Sequence, residues 1–132
     1  MNKKIFLVED HPLMQRTLHE FIRRLPDFEV CGTVLSAESA LESLCEVTPD
    51  LILVDMSLPH MNGIDLIKIV QERWPGTRCV LLSGHGELSY VHQAIAAGAR
   101  GYILKGHPAE IYPALQQVMA GEIFLSEGLA GE

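Results

Sequence analysis

The sequence predicts an α/β domain, with a parallel sheet of five strands covered by five helices on its two faces. Three observations carry this. Short runs of β-branched and aliphatic residues alternate five times with longer stretches whose apolar residues recur at helical spacing. Prolines and glycines fall at the junctions, and 132 residues, 48% hydrophobic and 20% charged, suit a single core.

The short runs are Ile5 to Val8, Phe28 to Val34, Leu51 to Val54, Cys79 to Leu82 and Gly101 to Leu104. Most lack polar alternation, the pattern of strands buried on both faces. The stretches between them carry apolar stripes: Met14, Leu18, Phe21, Ile22 and Leu25; Leu41 and Leu44; Leu66, Ile67 and Val70; Val91, Ala94 and Ile95; and Ile111, Leu115, Val118 and Met119. Three- and four-residue spacing puts each set on one side of a helix, where it can lie on the sheet. Pro12, Pro26, Pro49, Pro75 and Pro108 mark element boundaries, and Gly98 and Gly121 stand where helices should stop. Pro113 lies inside the last helical stretch, so it belongs to the first turn or marks a kink.

Strands alternating with helices in this way are joined by right-handed crossovers into a doubly wound, flavodoxin-like sheet, and the order 2-1-3-4-5 suits the topology. We place the domain at residues 1–121 and read 122–132 as the start of a linker.

Charge and cysteine usage narrow the function classes. Ten lysines and arginines against 17 aspartates and glutamates give a formal net charge of -7, which disfavours nucleic acid and anionic membrane as partners of this domain. Cys31, Cys45 and Cys79 are odd in number and form no CxxC pair, so they read as small core residues in a reducing compartment. No apolar run reaches the length of a membrane span and no signal peptide precedes the first strand, so a cytoplasmic protein is expected. The six histidines show no ligand spacing, and no zinc site is expected.

The chemistry should sit beyond the carboxyl ends of the strands, near the point where strand order reverses. Glu9 and Asp10 follow the first strand, Asp55 the third, Ser83 the fourth and Lys105 the fifth. In the expected order these strands are neighbours, so three acids, a hydroxyl and an amine share one pocket. Three close carboxylates repel one another unless a cation lies among them. Mg²⁺, a hard ion that accepts carboxylates and keeps positions open for phosphate oxygens, is the natural choice. Lys105 would meet an anion.

These residues, in order, resemble response regulator receivers of two-component signalling. The resemblance rests on Glu9-Asp10, the stretch from Asp55 through Pro59 to Gly63, Ser83 and the segment Tyr102 to Lys105, and it spans nearly the whole chain. His11-Pro12, the segment Gly98 to Tyr102 and the ending from Gly121 to Ser126 are similar to the subfamily whose receivers precede a LuxR/NarL-type helix-turn-helix. The resemblance implies that Asp55 accepts a phosphoryl group from a sensor histidine kinase or phosphotransfer protein, with Lys105 and Ser83 contacting the transferred group. It implies Mg²⁺ bound by Asp10, Asp55 and the backbone carbonyl of Ser57, with Glu9 acting through outer-sphere waters. Ser83 and Tyr102 would form the switch, Tyr102 turning inward as Ser83 moves toward the phosphoryl group. Phosphorylation-dependent homodimerisation is a further expectation, as is DNA contact only through a domain absent from this chain.

Departures are modest. Gly106 follows Lys105 where many receivers have proline, and Gly84 follows Ser83 where alanine is common. The chain is expected to be a phosphoacceptor that assists its own phosphorylation and dephosphorylation, not a turnover enzyme. Phosphatases with a related sheet place a second acid two residues after the aspartate nucleophile, and here that position is Ser57. A protein-binding module without phosphoryl chemistry would have no need of the repulsive acid cluster.

Overall fold

A computed structural model describes residues 2–129. The elements run β1 (Lys3–Val8), α1 (Pro12–Arg23), β2 (Phe28–Val34), α2 (Ala37–Leu44), β3 (Leu51–Asp55), α3 (Gly63–Arg73), β4 (Arg78–Ser83), α4 (Leu88–Ala97), β5 (Gly101–Leu104), a 3-10 turn (Pro108–Glu110), α5 (Ile111–Met119) and β6 (Phe124–Leu125). All strand pairs are parallel, in the order β2-β1-β3-β4-β5-β6.

The sheet therefore holds six strands instead of the expected five. The addition is two residues long, too short to leave a periodic signal, and it forms because Phe124 and Leu125 pair in register with Gly101 and Tyr102. Ser126 beyond it is buried, as is Leu129. Phe124, Ser126 and Leu129, within the stretch read from sequence as the start of a linker, thus pack on the domain, and residues 130–132 lie outside the described residues.

Alternate residues of each central strand point to opposite faces, which divides the core in two. Phe6, Val8, Ile52, Val54, Leu81 and Tyr102 meet the apolar stripes of α2, α3 and α4. Ile5, Leu7, Leu51, Leu53, Val80, Leu82 and Ile103 meet Leu18 and Ile22 of α1 and Ile111, Ala114, Leu115 and Val118 of α5. The edge strand β2 is only partly covered, apart from Phe28, so the two-faced burial expected of the apolar runs holds for the inner strands and not for it.

The punctuation behaves as its chemistry predicts. Pro12 opens α1, where its missing N–H is not needed. Ser36 and Asn62 cap α2 and α3 by accepting the Ser39 and Asp65 N–H groups. Gly98 ends α4 at φ 113, and a Cβ there would fall 2.5 Å from Gln71 Cγ. Pro113 sits in the first turn of α5, behind the 3-10 turn, and leaves the helix unbroken. The three cysteines are free; Cys79 is buried, with its thiol pushed up to about 12 by desolvation, whereas Cys45 is exposed and not a core residue. Among the described residues, no helix is long and apolar enough to cross a membrane.

Candidate functional site

The strand register decides where the acids meet. Val8 pairs with Val54, Asp55 with Leu82 and Ser83 with Leu104, so the chain leaves β1, β3, β4 and β5 along one edge of the sheet. Glu9, Asp10, Asp55 and Lys105 converge there. One ligand atom from each of Glu9, Asp10, His11 and Asp55 lies within 4.8 Å of the others. The loop after β3 is held tightly: Gly63 N–H donates to the Met56 carbonyl at 2.9 Å, and His60 adopts φ 68, unusual for a residue with a Cβ.

Asp55 is 1% exposed, and its two oxygens differ. Oδ1 accepts from Lys105 Nζ at 2.9 Å and from the Ser57 backbone N–H at 3.2 Å. Oδ2 is buried without a partner, as are Glu9 Oε1 and Asp10 Oδ1. The last lies 3.1 Å from His11 Nδ1, without the geometry of a hydrogen bond. Lys105 Nζ also approaches Glu9 Oε1 at 3.9 Å.

Electrostatics divides the acids. Burial raises Asp55, but the Lys105 ammonium, the neighbouring Glu9 side chain and the Ser57 N–H outweigh it and hold the carboxyl below its ordinary range. Burial and the facing Asp55 carboxylate push Glu9 up to about 7. One proton on Glu9 therefore relieves the cluster near neutral pH. A cation would do the same. Three orphaned oxygens from a hard donor set, two of them on nearly inaccessible carboxylates, fit Mg²⁺.

Ser83 lies at the end of β4 as expected, but its hydroxyl is engaged elsewhere. It donates toward Met56 Sδ and the His85 carbonyl, each at 3.4 Å, and accepts the His85 N–H at 2.9 Å and the Tyr102 hydroxyl at 3.1 Å. Tyr102 is fully buried and also donates to the His85 carbonyl at 2.5 Å. The aromatic ring expected to turn inward is already inside in this state, tied to Ser83.

Sequence reasoning passed over three groups. His11 Nδ1 sits 3.2 Å from Glu9 Oε2 and 3.1 Å from Asp10 Oδ1; its adjacency to the acid pair was the available signal. Met56 contacts Ser83 through sulfur, with nothing in the sequence to mark it. Glu110 and Ser126 meet behind the Lys105 turn, and only β6 brings them together.

A family model described as the response regulator receiver domain matches residues 5–116. The chain belongs to the response regulator receiver family. The nitrate/nitrite response regulator protein NarL of Escherichia coli strain K12 is 36% identical over 126 residues, covering 95% of this receiver and 58% of NarL. The chemotaxis protein CheY of Thermotoga maritima is 33% identical over 119 residues, covering 89% of this receiver and 98% of CheY. A crystal structure of a LuxR-family two-component response regulator from Aurantimonas sp. SI85-9A1 superposes with a TM-score of 0.94 at 29% identity, covering 100% of this receiver and 95% of that chain. The receiver thus spans a little over half the length of NarL, and its relatives include transcription regulators of the NarL and LuxR type.

Proposed function

We propose that this receiver is a phosphoacceptor: Asp55 takes a phosphoryl group from the phosphohistidine of a sensor histidine kinase or phosphotransfer protein, and the modified state controls a DNA-binding output domain outside these residues. One observation carries the reading. Asp55 Oδ1 is held by Lys105 and the Ser57 N–H, while Oδ2 is buried and unpartnered, which is the arrangement of an oriented nucleophile.

An Asp55 oxygen attacks phosphorus in line with the leaving histidine nitrogen; the new O–P bond forms as the N–P bond breaks, and the nitrogen keeps the electron pair. The Lys105 ammonium, already in the pocket, offsets charge on the transferred oxygens. Asp10, Asp55 and the Ser57 carbonyl would hold Mg²⁺, with Glu9 behind them, and the bound ion would supply the remaining positive charge. Hydrolysis of the acyl phosphate returns the free carboxylate. The position two residues past Asp55 is Ser57, so no acid stands there to turn over an external phosphoester.

NarL is named for a nitrate/nitrite response, and solved structures of RcsB, which share the fold at 20% identity with TM-scores of 0.90 and 0.91, include DNA complexes and dimers. By analogy the output of this chain is transcriptional, with dimerisation on phosphorylation. The net charge of -7 assigns DNA contact to another domain. A cytoplasmic setting belongs to the same reading, by analogy with NarL.

Intact mass after incubation with acetyl phosphate tests the proposal. One phosphoryl group is expected on the parent with Mg²⁺, none with chelator, and none on Asp55→Asn. Labelling of Asp55→Asn, or labelling in chelator, would overturn it.

A further inference from the structure

The turn that delivers Lys105 is pinned at its start, where the Lys105 N–H donates to the Ser83 carbonyl at 2.7 Å, but beyond that bond it has little reason of its own to be rigid. It runs from the end of β5 to the 3-10 turn, and Gly106, beside Lys105, adopts φ 91 with nothing within 4 Å of where a Cβ would stand. Glycine in open space is the least restrained residue available. Yet Lys105 Nζ must stay 2.9 Å from Asp55 Oδ1.

Behind the turn lies a tie that the pocket chemistry does not use. Ser126 is 1% exposed. Its hydroxyl accepts the Leu104 N–H at 2.8 Å, one residue before Lys105, and donates to the Glu110 carboxylate, five residues after Lys105. The other Glu110 oxygen accepts the Glu127 N–H at 3.1 Å. Ser126 is itself fixed by donating its own N–H to the Tyr102 carbonyl at 3.0 Å, in line with the pairing of β6 to β5. A single buried hydroxyl therefore clasps both ends of the turn and anchors them to the sheet.

We infer that Ser126 and Glu110 are positioning residues for Lys105, holding the turn so that the ammonium meets Asp55 and the incoming phosphoryl group. This rests on the phosphoacceptor reading and extends it to Glu110 and to Ser126, the latter beyond the part of the chain that the family model matches. Neither residue touches the reacting atoms. Both act through the backbone on either side of Lys105, and a charge-assisted hydrogen bond to a carboxylate is stronger than a neutral one.

The test compares rates of Asp55 phosphorylation by acetyl phosphate at saturating Mg²⁺. A group misplaced by about 1 Å loses up to about a hundredfold in rate, so Ser126→Ala, which loosens the turn without deleting the amine, should slow the reaction about tenfold. Ser126→Thr, which keeps the hydroxyl, should restore most of that loss, and Glu110→Ala should act like Ser126→Ala. In a Lys105→Ala background, Ser126→Ala should add nothing, because the group it positions is gone. Parent-like rates in both Ser126→Ala and Glu110→Ala would overturn the inference, as would equal slowing with and without Lys105. NMR relaxation of the Lys105 side chain supplies a readout independent of phosphotransfer: its order should fall in Ser126→Ala, and unchanged order refutes the tie. If the parent takes no phosphoryl group, the phosphoacceptor reading fails, and the relaxation result still decides the positioning role.

Discussion

Proton release on Mg²⁺ binding is the sharpest consequence of the pocket. Burial and the Asp55 charge raise Glu9 to about 7, so the cluster carries a proton there that a bound cation must expel. Apparent Mg²⁺ affinity then scales as one divided by one plus ten to the power of (7 minus pH). Relative to the high-pH limit it is weakened about 1.1-fold at about pH 8, twofold at about pH 7 and about 11-fold at about pH 6. From about pH 8 to about pH 6 the loss is about tenfold, or about 1.4 kcal/mol. Calorimetric titration with Mg²⁺ in buffers of different ionisation enthalpy counts the protons: about 0.9 per ion at about pH 6 and about 0.1 at about pH 8. Glu9→Gln should abolish the release. Because the His11 ring touches both Glu9 and Asp10, His11→Asn is the control and should leave it intact. Flat affinity across this range, or release that survives Glu9→Gln and disappears in His11→Asn, would show that the proton is not on Glu9.

The same group sets the pH dependence of folding without metal. The folded-state value is raised, so the native state holds a proton that the unfolded chain has released between pH 4.5 and about 7; the Glu9 contribution is full below that window and is lost as pH rises through about 7, read as a falling melting temperature that Glu9→Gln flattens. Gly63→Ala would place a Cβ 2.5 Å from the Asp55 carbonyl oxygen and 2.9 Å from Met56 Cα. Backbone cannot yield as a flexible side chain does, so a loss of about 1–3 kcal/mol in chemical denaturation is expected, and parent-like stability would contradict the packing at the phosphoacceptor loop. Tyr102→Phe removes the hydroxyl that donates to the His85 carbonyl and lies 3.1 Å from the Ser83 hydroxyl, for a loss of about 1–3 kcal/mol. A stability change under about 0.5 kcal/mol would mean that the inward ring is held by packing alone.

Local pattern was enough for most of the fold. The inner strands are buried on both faces, so their apolar runs stood out, and β2 and β5 end where the residues alone place them. Proline and glycine act through a single residue's backbone freedom, which is why Pro12 and Gly98 marked boundaries correctly. The acids could be assigned to one edge because strand order and the position just past each strand follow from topology.

Distance and protonation were not legible. That Asp55 uses one oxygen for Lys105 while the other stays unpartnered, and that Glu9 keeps a proton, depend on desolvation and on angles between side chains from three strands. The engagement of Ser83 with Tyr102, His85 and Met56 is likewise a matter of rotamers across strands. β6 and the Ser126–Glu110 tie escaped notice because a two-residue strand has no period, and its hydrogen bonds exist only once β5 offers an edge. The sequence by itself determined that Glu9, Asp10, Asp55 and Lys105 lie along one edge of the sheet, since that follows from strand order. Tertiary packing alone decided which of them bond, because burial sets the strength of each charge and the neighbouring strand supplies each partner.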